Sequence, residues 1–213
     1  MSQTDLITAF QEEVARTFFD LPESEGFLLA GGAALIALGA VERVTDDLDF
    51  FAARGEGDVP AAKAAFVARC RDRGWQTAIV WEADEFVRLS VIGADDKIEV
   101  DLGIDASLIL PPTVTFLGPT IGLEENAGRK TLALFGRAAP RDFVDVFNLA
   151  QRFGKPKLLE LAAERDLGFD RRVFGQMARM VNQINARQFP LDEDSVPDLV
   201  AFFNGWSEEL RVE

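Results

Sequence analysis

The sequence contains no histidine and only one cysteine, Cys70. Without histidine, the chain can form neither a Ser-His-Asp triad, nor a Cys-His dyad, nor a histidine-ligated zinc site. A single cysteine excludes an internal disulfide and a cysteine metal cluster, which agrees with a reducing compartment. Acid–base or metal chemistry must therefore rest on carboxylates, lysine or arginine, and a metal held by carboxylates alone would be a hard ion such as Mg²⁺, Mn²⁺ or Ca²⁺.

Long apolar runs are also absent. No segment approaches the roughly 20 apolar residues that a membrane-spanning helix needs, and the N-terminal stretch MSQTDLITAFQEEVARTFF lacks the basic and apolar regions of a secretory signal. The composition is 48% hydrophobic over 213 residues, which suffices for a sizeable core. We therefore expect a globular cytoplasmic protein that does not insert into a membrane.

Positive charge is scarce overall but concentrated in one segment. The formal net charge of −14 argues against a protein that coats nucleic acid without sequence preference, because such binding depends on lysine and arginine neutralising phosphates. Between Arg129 and Arg179, however, eleven Lys or Arg residues face six Asp or Glu residues. If a polyanion such as RNA binds, we expect it to bind there; the alternative interpretation is a solvated helical face of mixed charge.

Hydrophobic periodicity divides the chain into two parts. The first part alternates helices and strands and predicts an α+β domain over residues 1–118, in which the turn composition of residues 93–96 joins two strands as a hairpin. The second part, residues 119–213, has helical patterns, so we expect a helical domain packed on the first. The predicted strands include 27–29, 77–81, 86–92, 97–102 and 113–116, and the predicted later helices are 123–135, 141–153, 157–165, 171–184 and 196–203.

A glycine pair follows the first predicted strand. In FLLAGGAALIALG, Gly31 and Gly32 lie between a hydrophobic strand and a helix of small residues. At such a turn the unpaired N–H groups of the helix, with no Cβ in the way, form a plausible cradle for a phosphate. The stretch matches neither GxGxxG nor GxxxxGK[ST], so an ordinary strand–helix turn is the alternative interpretation.

The stretch RVTDDLDFF places three aspartates within four positions. In an extended segment Asp47 and Asp49 point to one face while the intervening apolar residues point to the other. Two carboxylates so close repel each other unless a cation lies between them, and a divalent metal would relieve the repulsion. A calcium loop does not fit, because Phe51 occupies its third ligand position. A solvated acidic turn is the alternative, and it suits Asp46 best.

A third carboxylate occurs in KIEVDLG. Strand alternation puts Lys97, Glu99 and Asp101 on the polar side, so Asp101 would lie beside Asp47 and Asp49 if the two strands are neighbours. Three carboxylates on one sheet face are the layout of a two-metal site for phosphoryl or nucleotidyl transfer. Taken alone, Asp101 is better explained as a strand-end aspartate that caps a turn, and it is the joint pattern of the three carboxylates that favours a metal site.

Taken in order, these motifs resemble the AbiEii family of nucleotidyltransferase toxins. The resemblance rests on the glycine pair, the R-x-T-x-D-x-D pattern from Arg43 to Asp49, Asp101, and the segment ENAGRKTLALFGRAAPRDFVDVFNL, and covers roughly residues 25–150. It implies a polymerase-β-like nucleotidyltransferase fold followed by helices. It also implies a Mg²⁺-dependent enzyme, with Mn²⁺ as the substitute ion, that transfers NMP from a nucleoside triphosphate to an acceptor hydroxyl. The expected acceptor is RNA, such as a tRNA 3′ end, and the expected protein partner is a separately encoded antitoxin.

The same resemblance assigns roles to individual residues. It implies that Gly31 and Gly32 contact the triphosphate, and that Asp47, Asp49 and Asp101 hold the metal, with Asp101 also helping to activate the attacking hydroxyl. One departure concerns the glycine pair, since many relatives have Gly-Ser where this chain has Gly-Gly. The missing hydroxyl removes one group that could bind phosphate.

The later motif carries cations and two aspartates. The resemblance implies that Lys130 supports the triphosphate or the transition state and that Asp142 belongs to the last motif, with Asp145 as the open alternative. Helical spacing places Lys130 and Arg137 on roughly one face, and Arg141 follows the break in the helix, so all three could neutralise phosphate charge. An Asp145–Arg141 ion pair is the structural alternative.

Two other functions remain compatible with these residues. The same site could transfer a nucleotide to a protein hydroxyl or to a small molecule. The chain could also be a catalytically silent nucleotide-binding or protein-interaction module, although retention of all three carboxylates and of Lys130 argues against loss of activity.

Overall fold

A computed structural model describes residues 6–212 of the chain. The chain divides into two compact units, Met1–Gly122 and Leu123–Glu213. The domain division expected after residue 118 remains a proposal. No helix in the described range is both long and apolar enough to cross a bilayer.

The first unit is built on a mixed sheet flanked by helices, which confirms the predicted α+β class. The described strands form one seven-stranded sheet in the order β3-β4-β5-β2-β1-β7-β6, in which β2 is parallel to β5 and antiparallel to β1. The strands are β1 (Phe27–Ala30), β2 (Asp47–Ala53), β3 (Gln76–Ala83), β4 (Phe86–Ile92), β5 (Lys97–Asp105), β6 (Thr113–Thr115) and β7 (Gly118–Thr120), and the helices are α1 (Ala9–Phe19), α2 (Gly31–Ala37) and α3 (Val59–Asp72).

The hydrophobic core of the first unit holds the apolar face of β2 in place. Helix α1 begins at a capping box in which Thr8 and Gln11 exchange hydrogen bonds between side chain and backbone, and its apolar face, with Phe10, Val14 and Phe18, is buried. On that face the Phe18 ring stacks on Phe50 of β2, with the ring centroids 4.3 Å apart. Burying one such side chain contributes about 1.5–3 kcal/mol, so β2 is anchored on its apolar face while its other face stays polar.

Strand β3 lies at one edge of the sheet and is mostly exposed. Three consecutive large apolar side chains, Ile79, Val80 and Trp81, are each more than half exposed. The pairing of β3 with β4 changes register between Ile79 and Trp81, which marks a β-bulge or a comparable irregularity at this point.

The second unit is helical, as predicted. Its helices are α4 (Leu123–Arg137), α5 (Pro140–Phe153), α6 (Lys155–Arg165), α7 (Arg171–Ala178) and α8 (Val196–Val212), with 3₁₀ turns at Arg179–Gln183, Ala186–Gln188 and Glu193–Ser195. Most of the predicted helix ends differ from the observed ones by two residues or fewer, and two differ by more. The helix expected to reach residue 184 changes to a 3₁₀ turn after Ala178, and the last helix continues nine residues beyond 203, because Trp206 and Leu210 extend its buried stripe.

Candidate active site

The polar face of β2 carries two of the predicted carboxylates. Asp47 and Asp49 are half-buried, whereas Leu48 and Phe50, which alternate with them, are fully buried on the opposite face. The hydroxyl of Thr45 donates a 2.6 Å hydrogen bond to Asp47 Oδ1 and so fixes that carboxylate at the start of the strand. The apolar core therefore holds both carboxylates on one face of the sheet.

Strand β5 brings the third predicted carboxylate to the same face. β2 and β5 are parallel neighbours, and their register pairs Asp49 with Asp101 and Asp47 with Glu99. Partners in such a register point to the same side of the sheet, so the arrangement expected for adjacent strands is present. We call the four side chains on this surface the acidic face: Asp47, Asp49, Glu99 and Asp101.

An arginine that the sequence analysis missed binds the acidic face. Arg88 of β4 is paired with Asp101 in the register of the β4–β5 hairpin. Its Nε donates to Asp101 Oδ1 at 2.8 Å and its Nη2 donates to Oδ2 at 2.6 Å, a bidentate ion pair. The hydrogen bond to Asp101 raises the pKa of Arg88 above its already high usual value, so the guanidinium is permanently charged.

The position of Arg88 is readable from the sequence in retrospect. The predicted turn at residues 93–96 pairs Ile92 with Lys97, and counting back along the two strands then sets Arg88 opposite Asp101. The signal was the hairpin register combined with strand alternation. The pattern of acidic residues alone does not indicate this cation.

The glycine pair lies directly beside the DxD strand. Gly31 has a φ of +64°, and a Cβ built on it would lie 1.7 Å from Asp49 Oδ2, so any other residue would be strained and would collide with the carboxylate. A Cβ on Gly32 would lie 2.8 Å from Thr45 Oγ1 and 2.9 Å from Arg43 Nη2. The space that a serine would need at position 32 is therefore filled by Arg43 and Thr45, which gives a physical reason for the Gly-Gly variant.

The donor chemistry of the acidic face suits a hard divalent cation. Carboxylate oxygens are the preferred protein ligands of Mg²⁺ and Mn²⁺. Ser90 of β4 is paired with Glu99 in the hairpin register, and its buried Oγ has no hydrogen-bond partner, a feature that only one other side-chain atom shares among the described residues. An unsatisfied hydroxyl beside carboxylates fits a site that takes a hydrated ion. Within residues 6–212, however, no group of three or more His, Cys, Asp or Glu side chains is arranged to hold a metal as it stands.

In the second unit, Lys130 is held by Asp145. Lys130 Nζ lies 2.8 Å from Asp145 Oδ2, both groups are buried, and the pair joins α4 to α5. Asp145, the open alternative for the last motif, is thus the carboxylate that positions the predicted triphosphate lysine. The sequence did not indicate this pair, because it connects positions fifteen residues apart on two different helices.

Arg137 and Asp142 form a second ion pair at the same helix junction. Arg137 Nε and Nη2 each donate a 2.8 Å hydrogen bond to Asp142, whose carboxylate also accepts from the Ala139 N–H at 3.1 Å. Asp142 is fully buried and Arg137 is half-exposed. Asp142, at the third position of α5, therefore stabilises the start of the helix by accepting from the N–H of the N-cap residue Ala139, and Arg141, next to it, is exposed.

Much of the basic segment is neutralised internally. Lys130 and Arg137 are paired as described, Arg129 and Arg165 both bind the buried Glu125, and Lys155 binds Glu209. These ion pairs take up five of the eleven cations of the segment, and four of the five join one helix to another. Because many of these cations are already paired, their number alone is weak support for RNA binding.

The family follows from comparison with known proteins. A family model described as "Nucleotidyl transferase AbiEii toxin, Type IV TA system" matches residues 14–210. The chain belongs to the AbiEii family. This confirms the resemblance read from its motifs and makes the protein a nucleotidyltransferase of a toxin–antitoxin family. No curated protein matches the chain.

Solved structures support the fold of this AbiEii family member. The nucleotidyltransferase toxin MenT4 from Mycobacterium tuberculosis matches with a TM-score of 0.60 and 16% identity, covering 98% of this chain and 91% of that one. JHP933 from Helicobacter pylori matches with a TM-score of 0.56 and 16% identity over 96% and 95% of the two chains. A putative nucleotidyltransferase from H. pylori matches with a TM-score of 0.56 and 17% identity over 96% and 97%. At these identities the likeness establishes the fold alone.

Proposed function

We propose that this AbiEii protein transfers NMP from a nucleoside triphosphate to an acceptor hydroxyl, which attacks the α-phosphate and releases pyrophosphate, with Mg²⁺, or Mn²⁺ in its place, bound at the acidic face. The observation that carries the proposal is the register that sets Asp101 beside Asp49 on adjacent strands, with Gly31 in contact with Asp49. Three hard oxygen donors next to a glycine turn are what two-metal nucleotidyl transfer requires of a protein.

In this nucleotidyl transfer the residues of the first unit would have the following roles. Asp47 and Asp49 bind the cation, and Thr45 keeps Asp47 oriented towards it through their 2.6 Å hydrogen bond. Because Gly31 and Gly32 have no side chains, the triphosphate can approach the backbone beside Asp49. Asp101 is the third carboxylate and accepts the proton of the attacking hydroxyl or orients it. A divalent cation bound there would neutralise charge on the phosphates and favour an in-line displacement.

The roles of the second-unit residues towards the triphosphate remain predictions from the family resemblance. They concern Lys130, Arg137, Arg141 and Asp142. The pair of Lys130 with Asp145 supports a refinement of these roles. An ammonium fixed by a buried carboxylate is pre-oriented, which lowers the entropic cost of binding a phosphate.

We further propose RNA as the acceptor, on different support from the count of basic residues. A cavity of about 370 Å³ in the second unit is lined by three arginines, Arg172, Arg179 and Arg211, and by Ser207, Leu210 and other residues of α7 and α8. Arg179 and Arg211 both contact Glu208, so the local balance remains positive in a chain of net charge −14. Guanidinium groups around a cavity suit phosphate oxygens. The family further implies a separate antitoxin as partner, and we propose the cytoplasm as the site of action.

The test is transfer of label. The purified protein is incubated with each of the four α-³²P nucleoside triphosphates, Mg²⁺, and either total RNA or RNA-free lysate, and the labelled macromolecule is identified. We expect label in RNA for the parent and none for Asp49→Asn. Label in protein or in a small molecule would establish the alternative acceptors. Nucleotide binding without any product would establish the silent module and contradict the proposed activity.

A second assay addresses the toxin role. We expect expression of the parent without its antitoxin to arrest bacterial growth, and Asp49→Asn at an equal protein level to relieve the arrest. Arrest that persists in Asp49→Asn would show that toxicity does not arise from nucleotidyl transfer. The control is Asp105→Asn at the end of β5, four residues beyond Asp101 and paired with Ala53 rather than with a carboxylate, and it should leave the arrest unchanged.

A further inference from the structure

One cation is built into the acidic face. Residues Arg88, Asp101, Asp49 and Ala30 form a row across strands β4, β5, β2 and β1, because each is the register partner of the next. Arg88 uses two of its nitrogens on the two oxygens of Asp101, at 2.8 and 2.6 Å. Its third nitrogen, Nη1, lies 3.7 Å from Glu99 Oε2.

This geometry places Arg88 in competition with a metal. A carboxylate that accepts a bidentate guanidinium uses one lone pair of each oxygen, and the guanidinium compensates its negative charge. Such a carboxylate is a weaker ligand for a divalent cation than an uncompensated one, because the bound arginine also repels the cation. Among the described residues, three carboxylates lie on one sheet face without forming an assembled three-ligand metal group, which is consistent with this competition.

The two partners of the pair differ in their freedom to move. The Asp101 side chain is 5% exposed and is fixed on a central strand, whereas the Arg88 side chain is 37% exposed. Glu99, at 43% exposure and already 3.7 Å from Nη1, is an alternative partner that Arg88 reaches by a short rotation. Release of Asp101 therefore requires movement of the arginine only, and the arginine does not become unpaired when it leaves.

We propose that Arg88 is a positioning residue that withholds Asp101 from the divalent cation, so that competition between Arg88 and the metal sets the metal affinity of the acidic face. With Arg88 on Asp101, the cation binds through Asp47 and Asp49. With Arg88 on Glu99, Asp101 joins as the third ligand. The inference rests on the proposed function, since it takes Asp47 and Asp49 as metal ligands.

The test is a double-mutant cycle on Mn²⁺ affinity, measured from the electron paramagnetic resonance signal of free Mn²⁺ without any nucleotide. We expect Asp101→Asn alone to change the dissociation constant less than about twofold, because Asp101 is withheld in the parent. Arg88→Gln should tighten binding about tenfold, within the range of typical coupling between two sites. Asp101→Asn introduced into Arg88→Gln should remove most of that gain.

Two further variants serve as references. Arg54→Gln removes a positive charge from another bidentate pair of the first unit, Arg54–Glu85, and should leave Mn²⁺ affinity unchanged within about twofold. Arg88→Lys keeps the charge but loses the planar fork, so it should tighten binding less than Arg88→Gln does. If Arg88→Gln fails to fold, the cycle is run with Arg88→Lys.

Three results would overturn the inference: unchanged affinity in both Arg88 variants, a gain in Arg88→Gln that survives Asp101→Asn in full, or loss of Mn²⁺ binding in Asp101→Asn alone. Failure of the underlying function has a separate signature. In that case the parent and Asp49→Asn would bind Mn²⁺ equally, whatever residue occupies position 88.

Discussion

The acidic face of the first unit and the charged helix junction of the second unit balance their charges in opposite ways. On the acidic face four carboxylates are accompanied by Arg88 of β4, which binds Asp101 and lies near Glu99. In the second unit the three buried carboxylates Glu125, Asp142 and Asp145 meet four cations, namely Lys130 and Arg129, Arg137 and Arg165. The acidic face therefore keeps an excess of negative charge, whereas the helix junction of the second unit does not.

The two charge balances suit different purposes. The excess of carboxylates on the acidic face suits the proposed binding of a cation, whereas the paired charges of the helix junction suit structural stability. Buried carboxylates that each have a cation partner contribute to the folded structure, and removing one partner leaves a charge without compensation. Carboxylates that lie close together and outnumber their counter-ions repel each other, which lowers the stability of the fold. A bound cation relieves this repulsion and so stabilises the folded state. The comparison predicts that neutralising substitutions destabilise the second unit and spare the first.

The largest expected effect is in the second unit. Asp145→Asn leaves the buried ammonium of Lys130 without its carboxylate, so we expect the free energy of unfolding to fall by about 3–5 kcal/mol. Denaturant unfolding followed by circular dichroism measures the loss. Asp142→Asn is the control, because its partner Arg137 is half-exposed and can be solvated, and its loss should be less than half as large. Equal losses would show that burial of the cation is not the cause.

A glycine substitution tests how tightly the turn packs on the acidic face. Gly31→Ala combines a left-handed backbone with a collision against Asp49, so we expect a loss of about 2–4 kcal/mol. Gly74→Ala is the matched control, because its φ of +79° is similar but nothing lies within 4 Å of the added Cβ. It should lose only about 1–2 kcal/mol of backbone strain. If the two variants are equally stable, Asp49 moves aside without cost.

Neutralisation on the acidic face should behave differently from Asp145→Asn. We expect Asp49→Asn to change the free energy of unfolding by less than about 0.5 kcal/mol, or to raise it, because like-charge repulsion is relieved. Mg²⁺ should raise the melting temperature of the parent and not that of the variant. A variant that unfolds, together with a parent that does not respond to Mg²⁺, would mean that these carboxylates are structural.

The smallest effect at neutral pH concerns Cys70, which reports on the first unit alone. Burial raises the pKa of its thiol from the usual 9.0 to about 12. The folded state thus retains a proton that the unfolded state releases, so this contribution to stability is complete below pH 9 and is lost as the pH rises towards 12. We expect the urea midpoint of thiol labelling to fall over that range. The Cys70→Ala variant, monitored by circular dichroism, should lack this component.

The sequence predicted the parts of this comparison that are local. Strand alternation placed Asp47 and Asp49 on one face, and the α+β class followed by helices is confirmed. Strand β7 was missed because it contains only Gly118, Pro119 and Thr120, a composition that is typical of turns rather than strands. The parallel pairing of β2 with β5 was only a condition in the argument, since it joins segments about fifty residues apart and leaves no local signal.

Partners of charged side chains were the least predictable feature. The Lys130–Asp145 pair depends on how two helices pack, and neither residue indicates the other in the sequence. The Arg88–Asp101 pair is predictable from the hairpin register, although the pattern of carboxylates alone does not indicate it. The role of individual charges in the site therefore depends on tertiary contacts, as does the pairing of β2 with β5. The alternation that puts Asp47 and Asp49 on one face of β2 does not.

The register shift in β3 has a consequence for the behaviour of the protein at high concentration. An exposed edge strand with apolar side chains is a template on which strands of other molecules can add and aggregate. Here the regular ladder runs for only four residues from Gln76 to Ile79 before the shift, and for three from Trp81 to Ala83 after it. An added strand would fall out of step within a few residues, so the irregular edge protects the protein against aggregation in spite of Ile79, Val80 and Trp81.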